Sequence, residues 1–147
     1  MMRKLSYIVL VILLSLPALA RKKTVDELKA EAAKSHGGHQ AELYAELARR
    51  LVDVADQQFT VGDSVKGQAI VQEILADATR AHDLAVSTRK KLKHVEIQLR
   101  EAQRQLENMR RTLAAEDRPP VAAVESKLAD FRQNLLNVMF APRKKKK

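Results

Sequence analysis

Between Gly67 and Leu113, small or apolar residues recur at alternating steps of four and three without a slip. They are Gly67, Val71, Ile74, Ala78, Ala81, Ala85, Thr88, Leu92, Val95, Leu99, Ala102, Leu106, Met109 and Leu113. This is the heptad rule: the stripe lies along one side of an α-helix and forms a seam that has to be buried against other helices. No Gly or Pro interrupts it after Gly67, and the whole chain of 147 residues holds only four of each. A continuous helix from about Ser64 to Glu116 would reach roughly 75 to 80 Å at ~1.5 Å per residue, longer than a compact domain of this size is wide. It therefore projects as a rod or breaks. Ser87 and Thr88 mark the one plausible break, since either can N-cap a second helix beginning at Arg89.

The flanking segments supply partners for this seam. Thr24-Val25-Asp26-Glu27 reads as a capping box that opens a short helix to about Lys34, and His36-Gly37-Gly38-His39 reads as a turn. From Gln40 to Phe59 the apolar positions step by three and four, ending at Val61-Gly62-Asp63, where Asp63 caps the next helix. Pro119-Pro120 starts the last helix with Asp117 as its cap. Val121, Val124, Leu128, Phe131, Leu135 and Val138 then give it an apolar stripe that can return antiparallel onto the seam residues Leu92, Val95, Leu99, Leu106, Met109 and Leu113.

The expected fold is all-α, with antiparallel hairpins built on one long heptad-patterned helix, or a four-helix bundle if that helix breaks near Ser87. The elongated form is the expectation. In it a shallow gap near residues 85–95 is filled by a second subunit, so self-association is expected. Length implies a single domain, divided as a leader over 1–20, a short helix and glycine turn over 21–39, the helical domain over 40–140 and a basic tail over 141–147.

Ala55, Phe59, Gly62-Asp63, Lys66-Gly67 and Ile74-Leu75 fall where a tetratricopeptide repeat has its small residue, aromatic, Gly-Asp turn, Lys-Ala pair and apolar second-helix positions. Over residues 40–80 the chain thus resembles one such repeat. The resemblance implies a helix-turn-helix and a protein-interaction role. The pattern departs from the family in four respects: Gly67 stands in place of alanine, the closing proline is absent, the second helix runs far past a repeat's length, and only one copy is visible.

Residues 1–20 read as a secretory signal. Arg3 and Lys4 precede the apolar run Leu5 to Leu16, and Ala18-Leu19-Ala20 offers a small-x-small site with cleavage after Ala20. The alternative is an uncleaved membrane anchor, favoured by the cations Arg21, Lys22 and Lys23 just past the run. Against it, the run is shorter than the ~20 residues that span a bilayer. Export places the protein in the periplasm or outside the cell.

The formal charge of +9 is mostly terminal. Between Thr24 and Pro142 there are 17 cations against 18 anions, so no specific nucleic-acid partner is expected from a body this neutral and this poor in aromatics. Charge is nevertheless segregated. Residues 24–87 hold six Lys/Arg against eleven Asp/Glu, whereas residues 88–112 hold eight against three. The eight are Arg89, Lys90, Lys91, Lys93, Arg100, Arg104, Arg110 and Arg111. They read as complementarity between helices, with Glu96, Glu101 and Glu107 interleaved on a solvated face, or alternatively as an anion-binding set.

Chemistry is thin. The absence of Cys excludes disulfides, thiolate metal sites and cysteine nucleophiles. His36 and His39 lack a third ligand, His82 and His94 read as surface histidines, and the carboxylate pairs Glu42/Glu46 and Asp53/Asp56 alternate with Arg49 and Arg50. Ser64, Ser87 and Ser126 stand in no nucleophile elbow. No enzyme, cofactor or metal is expected. The function expected is that of an exported interaction or scaffold module of the cell envelope. The alternatives are a periplasmic holdase-like chaperone, and a binder of anionic surfaces through Arg21, Lys22, Lys23, Lys144, Lys145, Lys146 and Lys147.

Overall fold

The computed structural model describes residues 22–142, and within them the protein is all-α. The leader with Ala18 and Ala20, the cation Arg21, and the tail from Arg143 to Lys147 lie outside the described residues. Five helices follow in order: α1 Val25–Lys34, α2 Gly37–Thr60, α3 Ser64–Thr88, α4 Leu92–Thr112 and α5 Arg118–Phe140. A 3₁₀ turn, Ala115–Asp117, precedes the last.

The start signals act as the sequence implies at α1 and α3. The Thr24 hydroxyl accepts from the Glu27 amide while the Glu27 carboxylate accepts from the Thr24 amide, both at 3.2 Å. The Asp63 carboxylate accepts from the Lys66 amide at 3.0 Å, closing one of the orphan donors of α3. Elsewhere the structure corrects the reading. The expected turn at Gly37-Gly38 is shorter than predicted, and α2 already begins at Gly37. Gly38 serves close approach: a Cβ there would lie 2.8 Å from the Lys90 Cβ, so the N-terminus of α2 can seat directly against the joint between α3 and α4. Asp117 holds the N-cap position of α5 as expected, but its side chain makes no capping bond. Its carboxylate instead accepts from the Ser64 hydroxyl at 2.9 Å, and its carbonyl accepts from the Gln68 amide at 3.0 Å, tying the two turns at that end of the molecule together.

The long helix does break, which overturns the elongated rod. Arg89 and Lys91 both adopt left-handed backbone, with φ of 52° and 61°. Ser87 and Thr88 do not cap the following helix as expected. Their hydroxyls turn back to the Leu84 carbonyl, at 3.2 and 2.7 Å, and finish α3. The chain then reverses, and α4 and α5 fold onto α2 and α3.

The result is a four-helix bundle of two hairpins laid side by side, with α1 added on the α2 side. Helix α2 lies beside α3 and α4, α5 lies beside α3 and α4, and α3 and α4 sit across the diagonal. Cross-links give the directions. Arg49 donates to Gln98 at 2.8 Å and Lys91 pairs with Glu42 at 3.1 Å, so α2 and α4 run parallel. Gln68 on Asp117 and His82 on Asn134 at 2.8 Å set α3 parallel to α5. Helix α1 runs antiparallel to α2, joined by Gln40 donating to the Ala32 carbonyl at 2.9 Å and by Arg50 donating to the Lys23 carbonyl.

This arrangement buries every expected seam residue but Leu92. Val95, Leu99, Leu106, Met109 and Leu113 are buried and Leu92 is half-buried. They meet Val121, Val124, Leu128, Phe131 and Leu135 of α5 in one core that also holds the alanines of α2 and α3. The straight helix whose returning partners would have left a gap near residues 85–95 is not formed. Helix α2 buries residues on two sides, among them Ala41, Leu47, Ala48, Leu51, Val52 and Ala55, because it is sandwiched between α1 and α4. Gly67, the departure from the repeat pattern, has a packing cause: a Cβ there would lie 2.8 Å from the Phe59 ring.

Candidate functional site

The interior offers little chemistry. Two carboxylates are buried, Asp77 at 2% exposure and Glu96 at 5%. Glu96, expected on a solvated face, accepts instead from Arg132 of α5 at 3.1 Å and pairs with Arg100 at 3.3 Å, while Arg132 also donates to Gln103 at 2.7 Å. Asp77 is less well served. One oxygen accepts from Arg80 at 2.9 Å and the other has no hydrogen-bond partner. Burial pushes its carboxyl above the usual range, and Arg80 offsets this only in part.

The other candidates from the sequence are occupied structurally. His82 is not a surface histidine: its ring stacks on Phe131 with centroids 4.7 Å apart, and its two nitrogens face Asp83 and Asn134, each at 2.8 Å. His39 lies 3.4 Å from Glu31 and 3.6 Å from Glu42, and His36 precedes α2 without a side-chain capping bond. Among the described residues no group of three His, Cys, Asp or Glu side chains could hold a metal ion. The Ser64 and Ser87 hydroxyls donate to Asp117 and to the Leu84 carbonyl.

Charge is distributed unevenly over the bundle surface. Arg104 pairs with Glu101 and Arg111 with Glu107 along α4, and Arg110 pairs with Glu125 of α5. Of the eight cations in residues 88–112, Lys91 alone among the described pairs reaches the acidic half, at Glu42. Glu42 also lies 3.8 Å from His94. Burial acts to raise its pKa, but the Lys91 hydrogen bond and the charges of His94 and Lys91 outweigh it and hold the carboxyl below the usual carboxylate range. At the N-terminal cluster, Lys23 pairs with Glu31 and so is folded onto α1, whereas Lys22 is exposed.

What remains is concentrated at the end of the bundle where α3 hands over to α4. Arg89, Lys90, Lys91, Lys93 and His94 are exposed there within six residues. Among the described residues no acidic side chain pairs with Arg89, Lys90 or Lys93, and the Arg89 guanidinium donates to the Val138 carbonyl at 3.3 Å. Beside them lies a shallow depression of about 480 Å³. Leu92, Ile97 and Met139 give it an apolar floor, and Arg89, Lys91, Lys93 and His94 a basic rim. Phe140, next along α5, is 82% exposed. The sequence shows these cations as a run but sets none of them beside Met139, because the placement depends on a reversal at residues 89–91. The chain matches no family model, no curated protein and no solved structure.

Proposed function

We propose that this chain is an exported, non-enzymatic helical binding module of the cell envelope, which works through its outer surface rather than through an enclosed pocket. The observation that carries this reading is a contrast within the described residues: the helical seams, Leu92 apart, are used up inside a closed core, whereas at one end a basic rim, in which Arg89 and Lys93 have no acidic partner, borders an apolar floor. Export is supported by the leader over residues 1–20, and among the described residues no helix is long and apolar enough to cross a membrane. The single repeat-like hairpin points the same way, toward interaction. The holdase alternative rests on projecting arms, and both hairpins pack against each other here, so it gains no support from the fold.

Two measurements test the reading. N-terminal sequencing of the protein recovered from the envelope fraction is expected to begin at Arg21. A photo-crosslinking residue at Ile97 or Met139 is expected to trap a ligand in cells, whereas the same residue at Val65, at the opposite end, is not. Adducts at neither position would reject a binding role for this end.

A further inference from the structure

We infer that the end formed by the joint between α3 and α4 and the last turn of α5 is a membrane-facing surface that takes anionic phospholipid, an inference that rests on the binding-module reading above. Three independent features of the surface agree. Cations without acidic partners among the described residues, Arg89, Lys90 and Lys93, stand at or beside one rim of the depression. Apolar side chains reach solvent beside them: Ile97 at 37% exposure, and Phe140, too exposed to belong to the core. The sequence past Pro142 continues with Arg143 and Lys144 to Lys147, so five more cations follow Phe140 along the chain.

An apolar tip ringed by Lys and Arg is the pattern of a peripheral membrane anchor: the apolar groups enter the boundary between headgroups and acyl chains, and the cations meet lipid phosphates. A protein partner of matching acidity would satisfy the cations but gives no reason for an aromatic held so far out of the fold. Neither the apolar tip nor the basic patch is enough alone, since peripheral binding strength sums the buried apolar area and the electrostatic attraction to anionic lipid. Both occur here at one end. The opposite end differs in charge balance: its exposed Val61 and Val65 share their stretch with Asp63 as well as Lys66, and the turn tied to it through Ser64 carries Glu116 and Asp117 as well as Arg118.

The chain has no Trp, so Phe140→Trp makes a lone fluorescent reporter at the tip and Val65→Trp a matched control at the far end. Among the described residues every core side chain lies between Leu28 and Leu135, so the chain beginning at Arg21 carries that core whole and is the form tested. On phosphatidylcholine vesicles containing one-third phosphatidylglycerol, the emission of the Phe140→Trp protein is expected to shift to the blue. It should stay unshifted with phosphatidylcholine alone and with soluble polyphosphate, and the emission of the Val65→Trp protein should not respond to any of the three. Each cation near an anionic surface strengthens binding about fivefold, so Lys90→Gln with Lys93→Gln should weaken vesicle partition by about 25-fold, and Lys90→Arg with Lys93→Arg should restore it. Circular dichroism of each variant checks that the bundle is intact.

An unshifted tip reporter on vesicles that the protein nonetheless sediments with would overturn the inference, since the tail alone would then be the anchor. So would an equal response to neutral vesicles, or one to polyphosphate, which would mark an unselective apolar tip or a site for free phosphates. If the vesicle arms fail while Ile97 still traps a protein in cells, the inference falls and the binding-module reading stands. If both fail, both fall.

Discussion

The two hairpins solve the same packing problem with opposite materials. In the first, α2 and α3 bury many small residues, Ala41, Ala45, Ala48, Ala55, Gly67, Ala78, Ala81 and Ala85, beside a smaller number of large ones such as Leu47, Val71 and Ile74. In the second, α4 and α5 bury mostly large residues, Val95, Leu99, Leu106, Met109, Val121, Leu128, Phe131 and Leu135, with Ala102 among them, and Arg110 to Glu125 and Arg132 to Glu96 bridge the two helices. The buried carboxylates follow the same division: Glu96 in the second hairpin has two cationic partners, and Asp77 in the first leaves an oxygen unsatisfied. A small-residue seam specifies its partner by excluding volume, whereas a large-residue seam specifies it by filling space and by placing charges. Damage to the two should therefore come from opposite kinds of substitution.

The largest effect is expected from emptying the second seam. Leu128→Ala, at a fully buried position, should cost about 3 kcal/mol in urea unfolding, the lost transfer energy plus the cavity left behind. A cost near 1 kcal/mol would mean that α5 slides to refill the space. Next comes crowding of the first seam. Ala81→Leu should cost about 2 kcal/mol by overpacking, and a neutral result would show that α2 and α3 are less closely set than their alanines imply.

The carboxylates should then respond with opposite signs. Glu96→Gln should lower stability by about 1.5 kcal/mol, because it weakens charge-assisted bonds to Arg132. Asp77→Asn should raise the Tm at neutral pH. The folded pKa of Asp77 is raised, so its ionised form is a liability there. As pH falls through the carboxylate range the parent becomes protonated and recovers that stability, and the advantage of the variant should shrink. A gain that does not change with pH would point to a cause other than burial of charge. Glu42 runs the other way: its lowered pKa means that its contribution is present above the usual carboxylate range and fades as pH drops through the folded value. The smallest effect is expected at the joint between the hairpins. Arg89→Gly should relieve left-handed strain and, after losing the bond to Val138, gain about 0.5 kcal/mol.

Much of the fold was legible. The capping box at Thr24, the cap at Asp63 and the stripes on α2, α4 and α5 rest on local physics, namely orphan amides needing acceptors and apolar faces needing cover. The reversal at residues 89–91 was half legible: Ser87 and Thr88 marked a break two residues short of it, with a four-helix bundle as the consequence, but the choice between bending and running on as a rod fell the wrong way, for a definite reason. The steps Ala85, Thr88, Leu92 and Val95 keep heptad phase straight through it, and neither left-handed residue is Gly or Asn. Periodicity reports which face is apolar, and it is blind to a bend that preserves phase. The burial of Glu96 followed from the same blindness, since Arg132 reaches it only once α5 has returned along α4. The basic end was half legible: its cations formed a visible run, while Ile97 and Met139 gave no sign of sharing a surface until the chain had turned.

That unbroken phase has a further consequence. Because the stripe on α3 continues in register into α4, straightening Arg89 to Lys91 would make one long helix whose two halves keep every apolar position they have now. The second hairpin of one molecule would then find, on the first hairpin of another, the same surface it covers at home, and the reciprocal exchange would close a two-fold dimer without any new contact having to be invented. The left-handed backbone at Arg89 and Lys91 is what turns the second hairpin back onto the first within one chain.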